Sequence, residues 1–231
     1  MRERRGSGTQ SKVQANAKVP TKWTDFLFVS ENKEELFQFL AREIGKQSFD
    51  EDKQVLVTLD SKVLTINSPP MAPCSYEEAD TRVFIHIIDA VEEGNNVSLI
   101  HTVDTDIVVI CIGKFHAILA RYPDFQLWVK FGTGSTQHMI YINSICEAIG
   151  QSVSHGMPFF HALTGCDTTS AFRNKDKKTG WNTWSGYQAI TSFFEFLSHN
   201  PFPTIHPQLP DFDLLQKFVI RLYSKSTQIM A

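Results

Sequence analysis

Residues 96–113 read NVSLIHTVDTDIVVICIG and contain two apolar runs that are separated by two aspartates. Apolar runs bounded by turn residues are typical of parallel strands that are covered on both faces. Segments with strand and helix periodicity alternate on either side of this stretch, which indicates an α/β fold. Because open α/β sheets bind ligands beyond the carboxyl ends of their strands, we expect Asp104 and Asp106 to lie at a functional edge.

The flanking sequence predicts further elements. Apolar spacing and glycine stops predict helices near residues 30–45, 75–94, 143–150, 154–163 and 211–225, with Ser30 or Asn32 capping the first and Asn143 the third. Runs rich in β-branched residues predict one hairpin around LDSK (59–62), with Asp60 in its turn, and a second around Gly-Thr-Gly (132–134).

Composition limits the classes of function. The chain of 231 residues has a formal net charge of -3, so a nucleic-acid partner would need a local basic patch. We find neither a signal peptide nor an apolar window long enough to span a membrane, and therefore expect a non-secreted protein of the nucleus or cytoplasm with no membrane contact. The four cysteines form no CxxC pair, so we expect reduced thiols and no cysteine-based zinc site.

Asp104 and Asp106 are spaced to face the same side of an extended segment. Carboxylates that face one way repel each other unless a cation or a proton lies between them, and magnesium prefers such oxygen ligands. The alternative is that both residues are turn or cap residues that bond the backbone. A predicted helix start contains three further acids, Glu77, Glu78 and Asp80. They could be metal ligands, or they could only complement the helix dipole.

The stretch HALTGCDTTS (161–170) raises three hypotheses. Cys166 could be a nucleophile with His161 or His155 as its base, although the sequence identifies no residue to orient that base. Asp167 could be a metal ligand, and the stretch could also be only a polar turn after a helix.

Four motifs in this order resemble a known family: WTDFLFVSENKEELFQFL (23–40), EEADTR (77–82), VDTDIVVI (103–110) and HALTGCDTTS (161–170). They are similar to the metal-binding segment of the flap endonuclease/XPG group of PIN-like nucleases. The chain looks still closer to a group of animal PIN-like proteins that carry all four motifs. The resemblance covers about residues 20–225.

The resemblance implies a PIN-like, mostly parallel sheet flanked by helices, with a helical extension at the C-terminus. It implies Mg²⁺ or Mn²⁺, two ions if the site is complete, and hydrolysis of phosphodiester bonds in nucleic acid, DNA rather than RNA. Cys166 stands at the family's serine position and Thr168 at its tyrosine, and we expect His161 to be a core or supporting residue. The implied metal ligands are Glu78, Asp80, Asp104, Asp106 and Asp167, with Asp104 and Asp106 as catalytic residues.

A basic segment, FRNKDKKTGW (172–181), follows where the family grips the nucleic-acid backbone. Lys175, Lys177 and Lys178 are therefore expected to contact phosphates, the alternative being an exposed basic loop. The related proteins usually have glycines where this chain has Asn174 and Asp176, the residue types that best tolerate a positive φ.

We expect a basic, disordered arm at 1–20, a PIN-like core at 21–170, and a basic turn with helices at 171–231. The family draws further acids from an upstream strand, and the chain starts after the position where that strand is expected. The competing hypothesis is therefore an incomplete nuclease fold that binds nucleic acid or protein without catalysis.

Overall fold

The computed structural model describes residues 12–69, 79–167, 169–200, 208–209 and 211–224. The chain divides into two compact units, Met1–Arg82 and Val83–Ala231. Two small sheets and many helices confirm the α/β class. No helix in the described ranges combines the length and the apolar character needed to cross a bilayer.

The first unit contains helices and a hairpin. The N-cap position of the second helix is occupied by Val29, which has no polar side chain. The predicted capping by Ser30 or Asn32 is wrong, because Asn32 is buried and its amide nitrogen donates to the Phe26 carbonyl at 3.0 Å. The LDSK hairpin is confirmed, with Asp60 at a positive φ of 54° in its turn. The elements are α1 (Trp23–Leu27), α2 (Ser30–Ile44), β1 (Val55–Leu59) and β2 (Lys62–Ile66).

The second unit contains a three-stranded mixed sheet. Its strands are β3 (Val97–Thr102), β4 (Gln126–Phe131) and β5 (His138–Tyr141), in that spatial order. β3 and β4 are parallel, as expected for the first apolar run, and β4 and β5 form the predicted antiparallel hairpin.

The prediction of a strand for the second apolar run is wrong. Residues Thr105–Leu119 form a helix, whose buried positions Ile107, Cys111, Phe115 and Ile118 recur every three or four residues. A short apolar run does not distinguish a buried helix from a buried strand, since both lack a polar face.

Helices make up the rest of the second unit. Asn143 does not cap its helix as predicted, and instead bonds the Leu127 amide at 2.9 Å and the Phe125 carbonyl at 2.8 Å, which ties that helix to β4. The predicted start, near Ser75, of the helix at 75–94 lies outside the described residues. The helices are α3 (Ala79–Glu92, which spans the unit boundary), α4 (Thr105–Leu119), α5 (Ile142–Ile149), α6 (Gln151–Leu163), α7 (Lys177–Ser185), α8 (Thr191–His199) and α9 (Phe212–Tyr223).

The second unit has two hydrophobic clusters. One lies between the sheet and α3, α4 and α5, and it includes Phe115 and Leu127. The other joins α6 to the C-terminal helices through aromatic residues such as Trp184 and Phe194. Met157 of α6 packs against both clusters, so α6 lies between them.

α6 approaches its neighbours at glycines. A Cβ atom at Gly113 of α4 would lie 2.5 Å from Cγ of Pro158, and one at Gly156 of α6 would lie 3.0 Å from Cβ of Phe194 in α8. Hydrogen atoms at these positions therefore allow the backbones of α4, α6 and α8 to pack closely.

We predict that Gly113→Ala destabilises the protein by about 1–3 kcal/mol, because the rigid Pro158 ring cannot move away from the new methyl group. Urea unfolding followed by circular dichroism measures this change. Gly186→Ala is the control, because its Cβ would make only an ordinary 3.4 Å contact at a φ of -84°. Equal stability of the two variants would show that α4 and α6 do not pack as described.

Candidate functional site

Asp104 follows β3 directly and is the N-cap residue of α4. Its Oδ1 accepts a hydrogen bond from the Asp106 amide at 2.8 Å, and its own amide donates to the Thr102 hydroxyl at 3.0 Å. The cap interpretation is thus confirmed for Asp104. The side chain is exposed, and its second carboxylate oxygen has no hydrogen-bond partner among the described residues.

Asp106 lies in the first turn of α4, so the two acids do not share one face of an extended segment as predicted. Its Oδ1 lies 2.8 Å from Nε2 of His161, in the last turn of α6. The side chains of His161 and Asp106 are 12% and 31% exposed. An ionised carboxylate only accepts hydrogen bonds, so Nε2 carries the hydrogen. The bond joins two motifs that lie 55 residues apart in the chain.

The turn after α6 has a fixed local geometry. Gly165 has a φ of +100°, and a Cβ there would lie 2.7 Å from Cβ of Ala171. The Thr169 hydroxyl donates to the Ala162 carbonyl at 2.6 Å and accepts from the Cys166 amide at 3.0 Å. These contacts hold Asp167 on the exposed side of the turn.

Cys166 is half-buried in the same turn. Its Sγ lies 3.3 Å from the Thr169 hydroxyl. His161 now has the acidic partner, Asp106, that the sequence did not identify. The cysteine-nucleophile hypothesis therefore has an oriented base near its turn, and it stays a prediction.

Lys177, at the start of α7, brings a positive charge to the site. Its ammonium donates to the His161 carbonyl at 2.9 Å and to the Thr164 hydroxyl at 3.3 Å. Burial lowers the pKa of Lys177, and electrostatic interaction with Cys166 and Asp106 opposes this shift. The ammonium of this exposed residue thus makes two hydrogen bonds within the protein, and its contact with phosphate stays a prediction.

The other residues of the basic segment have separate environments. Lys178 is exposed, whereas Nζ of Lys175 lies 5.1 Å above the Tyr223 ring. Asn174 adopts a positive φ of 56°, a conformation that Asn tolerates better than most residues. Asp176 does not, because it caps α7 and accepts a hydrogen bond from the Thr179 amide at 2.8 Å.

Part of the implied metal-ligand set can be located. Glu77, Glu78 and Thr168 lie outside the described residues, and Asp80 belongs to α3. Asp104 and Asp106 lie together at the end of β3. Across the described side chains, only one group of three or more His, Cys, Asp or Glu residues brings its ligand atoms within 4.8 Å, and it lies elsewhere, at His155, Glu195 and His199.

The carboxylates at the end of β3 are donors of the type that an ion of the magnesium class takes. Asp104 and Asp106 each have one oxygen without a hydrogen-bond partner among the described residues. Magnesium is often held by one or two carboxylates, with waters completing its shell. The second ion that the resemblance implies would need ligands beyond this pair.

Sequence reasoning missed two contacts. The Asp106–His161 bond has no short-range signal, because it depends on the packing of α4 against α6. The second is the group of His155, Glu195 and His199, for which a signal existed: Glu195 and His199 are four residues apart and so share one helix face.

Comparison with known proteins adds no relative. No protein-family model matches the chain, and neither curated proteins nor solved structures give a match.

Proposed function

We propose that this protein is a PIN-like, divalent-metal-dependent nuclease domain that hydrolyses phosphodiester bonds of nucleic acid. The observation that carries the proposal is the hydrogen bond between Asp106 and His161. It joins the aspartate pair after β3 to the HALTGCD segment, which the family resemblance treats as parts of one site. Their meeting supports one functional centre instead of two unrelated polar turns.

The protein's own residues would prepare this centre. His161 holds one oxygen of Asp106 and so fixes the rotamer of that side chain. Asp104 keeps its cap and presents its other oxygen to solvent. The resemblance implies Asp167, exposed in the turn after α6, as a third carboxylate, but its oxygens do not come within 4.8 Å of both aspartates. A bound Mg²⁺ or Mn²⁺ would activate water for attack and stabilise charge on the phosphoryl oxygens.

The parallel pair of β3 and β4 supports the PIN-like part of the proposal. A mostly parallel sheet requires additional strands beside this pair. β3 is paired along one edge only among the described residues. Its other edge is where another strand could add.

We predict that Asp104→Asn and Asp106→Asn each abolish Mn²⁺-dependent cleavage. Both changes remove a charge and preserve local structure, because Asn is an equally good N-cap and its carbonyl still accepts from His161. The measurement is cleavage of labelled flap, single-stranded and duplex DNA with Mn²⁺ or a chelator. Asp124→Asn, an exposed aspartate elsewhere in the second unit, is the control.

Cleavage that survives both substitutions, or that continues in the chelator, contradicts the proposal. If the unsubstituted chain cleaves none of these DNAs under any of the metal conditions, the protein is not a nuclease in this form, and the second candidate function replaces the first.

The second candidate is nucleic-acid binding without hydrolysis. The Lys177 ammonium favours it, because a cationic group of the protein already lies within the electrostatic reach of Asp106. The described carboxylates also do not bring three ligand atoms together at this place. Phosphate contacts would then come from the exposed side of the basic segment.

For this candidate we predict that Lys178→Gln removes one phosphate contact with duplex DNA. The logarithm of the binding constant falls linearly with the logarithm of the salt concentration, and the magnitude of that slope should decrease by about 0.9. Fluorescence anisotropy at several salt concentrations measures the slope. Lys114→Gln, another exposed lysine, serves as the control and should leave the slope unchanged. An unchanged slope for Lys178→Gln would remove this residue from the interface.

A further inference from the structure

A second polar cluster lies between α6 and α8. It consists of His155 on α6 with Glu195 and His199 on α8, and one ligand atom from each residue lies within 4.8 Å of the others. The nuclease proposal does not use any of these residues. Imidazole nitrogens and a carboxylate are the ligands that zinc takes from proteins when no cysteine is present.

The packing of the two helices forces these side chains together. A Cβ at Gly156 would lie 3.0 Å from Cβ of Phe194 and 3.3 Å from the Glu195 amide nitrogen, so the backbones pack closely beside His155. Glu195 and His199 are one turn apart and project from the same face of α8. The cluster thus depends on backbone geometry that the hydrophobic packing fixes.

The hydrogen bonds prepare the three groups as ligands. Nδ1 of His155 lies 2.8 Å from Oε1 of Glu195, and this bond is the main reason that the pKa of Glu195 is lowered. Nδ1 of His199 donates to the Glu195 carbonyl at 3.0 Å, which leaves its Nε2 with the lone pair. Metal-binding histidines commonly donate their other ring nitrogen to a backbone carbonyl in this way.

A third imidazole borders the cluster. The rings of His116 and His155 have centroids 5.8 Å apart, and Nε2 of His116 is buried without a hydrogen-bond partner among the described residues. Burial lowers the pKa of His116, and the neighbouring His155 lowers it further, whereas a bond to the Cys146 carbonyl raises it. The uncommitted nitrogen of His116 thus lies beside the cluster, and buried polar atoms of this kind are rare without a function.

We propose that His155, Glu195 and His199 bind one divalent ion of the zinc class, distinct from the magnesium-class ion at the end of β3. Two ligand atoms at about 2.1 Å from a tetrahedral ion are about 3.4 Å apart. The 2.8 Å spacing of His155 and Glu195 therefore widens as the ion displaces the proton that they share. Three protein ligands leave the fourth position open to water, and the exposed His199 gives the ion a path from solvent.

The alternative is a hydrogen-bonded pair that only links α6 to α8. The alternatives differ in metal affinity and in proton release, because metal binding displaces the shared proton and structural pairing does not. The proposal does not depend on nuclease activity.

The test is titration of the chelator-treated full chain with Zn²⁺, by calorimetry in buffers of different ionisation enthalpy, and with Co²⁺ by visible absorption. We expect one Zn²⁺ per chain, release of protons, and Co²⁺ bands of four-coordinate intensity. Glu195→Gln and His199→Ala should each weaken Zn²⁺ binding at least about 100-fold, since even changes to residues that support ligands cost 10–100-fold.

Two controls separate this site from other metal-binding groups. His138→Ala removes an exposed histidine of β5, and Asp104→Asn removes a carboxylate at the end of β3, so both should retain Zn²⁺ affinity. Circular dichroism verifies that every variant is folded. His199→Ala is the decisive variant, because an exposed side chain can be removed with the least effect on folding. The proposal is overturned if the chain binds no Zn²⁺, if His199→Ala binds it with unchanged affinity, or if Co²⁺ gives only weak six-coordinate bands.

Discussion

The close packing of α6 between α4 and α8 is the constraint on which the second unit depends. Pro158 interrupts the hydrogen bonding of α6, at a cost of about 3 kcal/mol in an isolated helix. The bare backbone of Gly113 receives the ring of that proline, and Gly156 allows α8 to approach from another side. α6 is thereby fixed against both hydrophobic clusters, so its polar side chains have defined positions.

Those positions explain why one helix supplies both candidate sites. His161, in the last turn of α6, reaches Asp106 at the start of α4, while His155, nearer to the other end of the helix, meets Glu195 on α8. The donor chemistry differs between the two. Carboxylate oxygens dominate beside β3 and suit a hard ion, whereas imidazoles dominate beside α8 and suit a zinc-class ion.

Local sequence signals predicted most elements but few of the contacts that form the sites. The hairpins and α2 have clear periodicity and turn residues, and they were predicted correctly. The run after Asp106 was not, because a helix buried on most sides has the same apolar composition as a buried strand. Asn143 accepts a hydrogen bond from β4 instead of capping α5, and His161 forms a hydrogen bond with Asp106, 55 residues away in the chain. Both contacts arise from tertiary packing, which local patterns do not contain.

The central claim is that the Asp106–His161 contact joins two distant motifs into one site. A double-mutant cycle on the free energy of unfolding, with Asp106→Ala, His161→Ala and the double variant, tests it most directly. The cycle cancels the separate effect of Asp106 on the α4 dipole and isolates the pair. The account predicts a favourable coupling of about 0.5–3 kcal/mol at neutral pH. Additive effects of the two substitutions would contradict it and would leave the two motifs as independent turns.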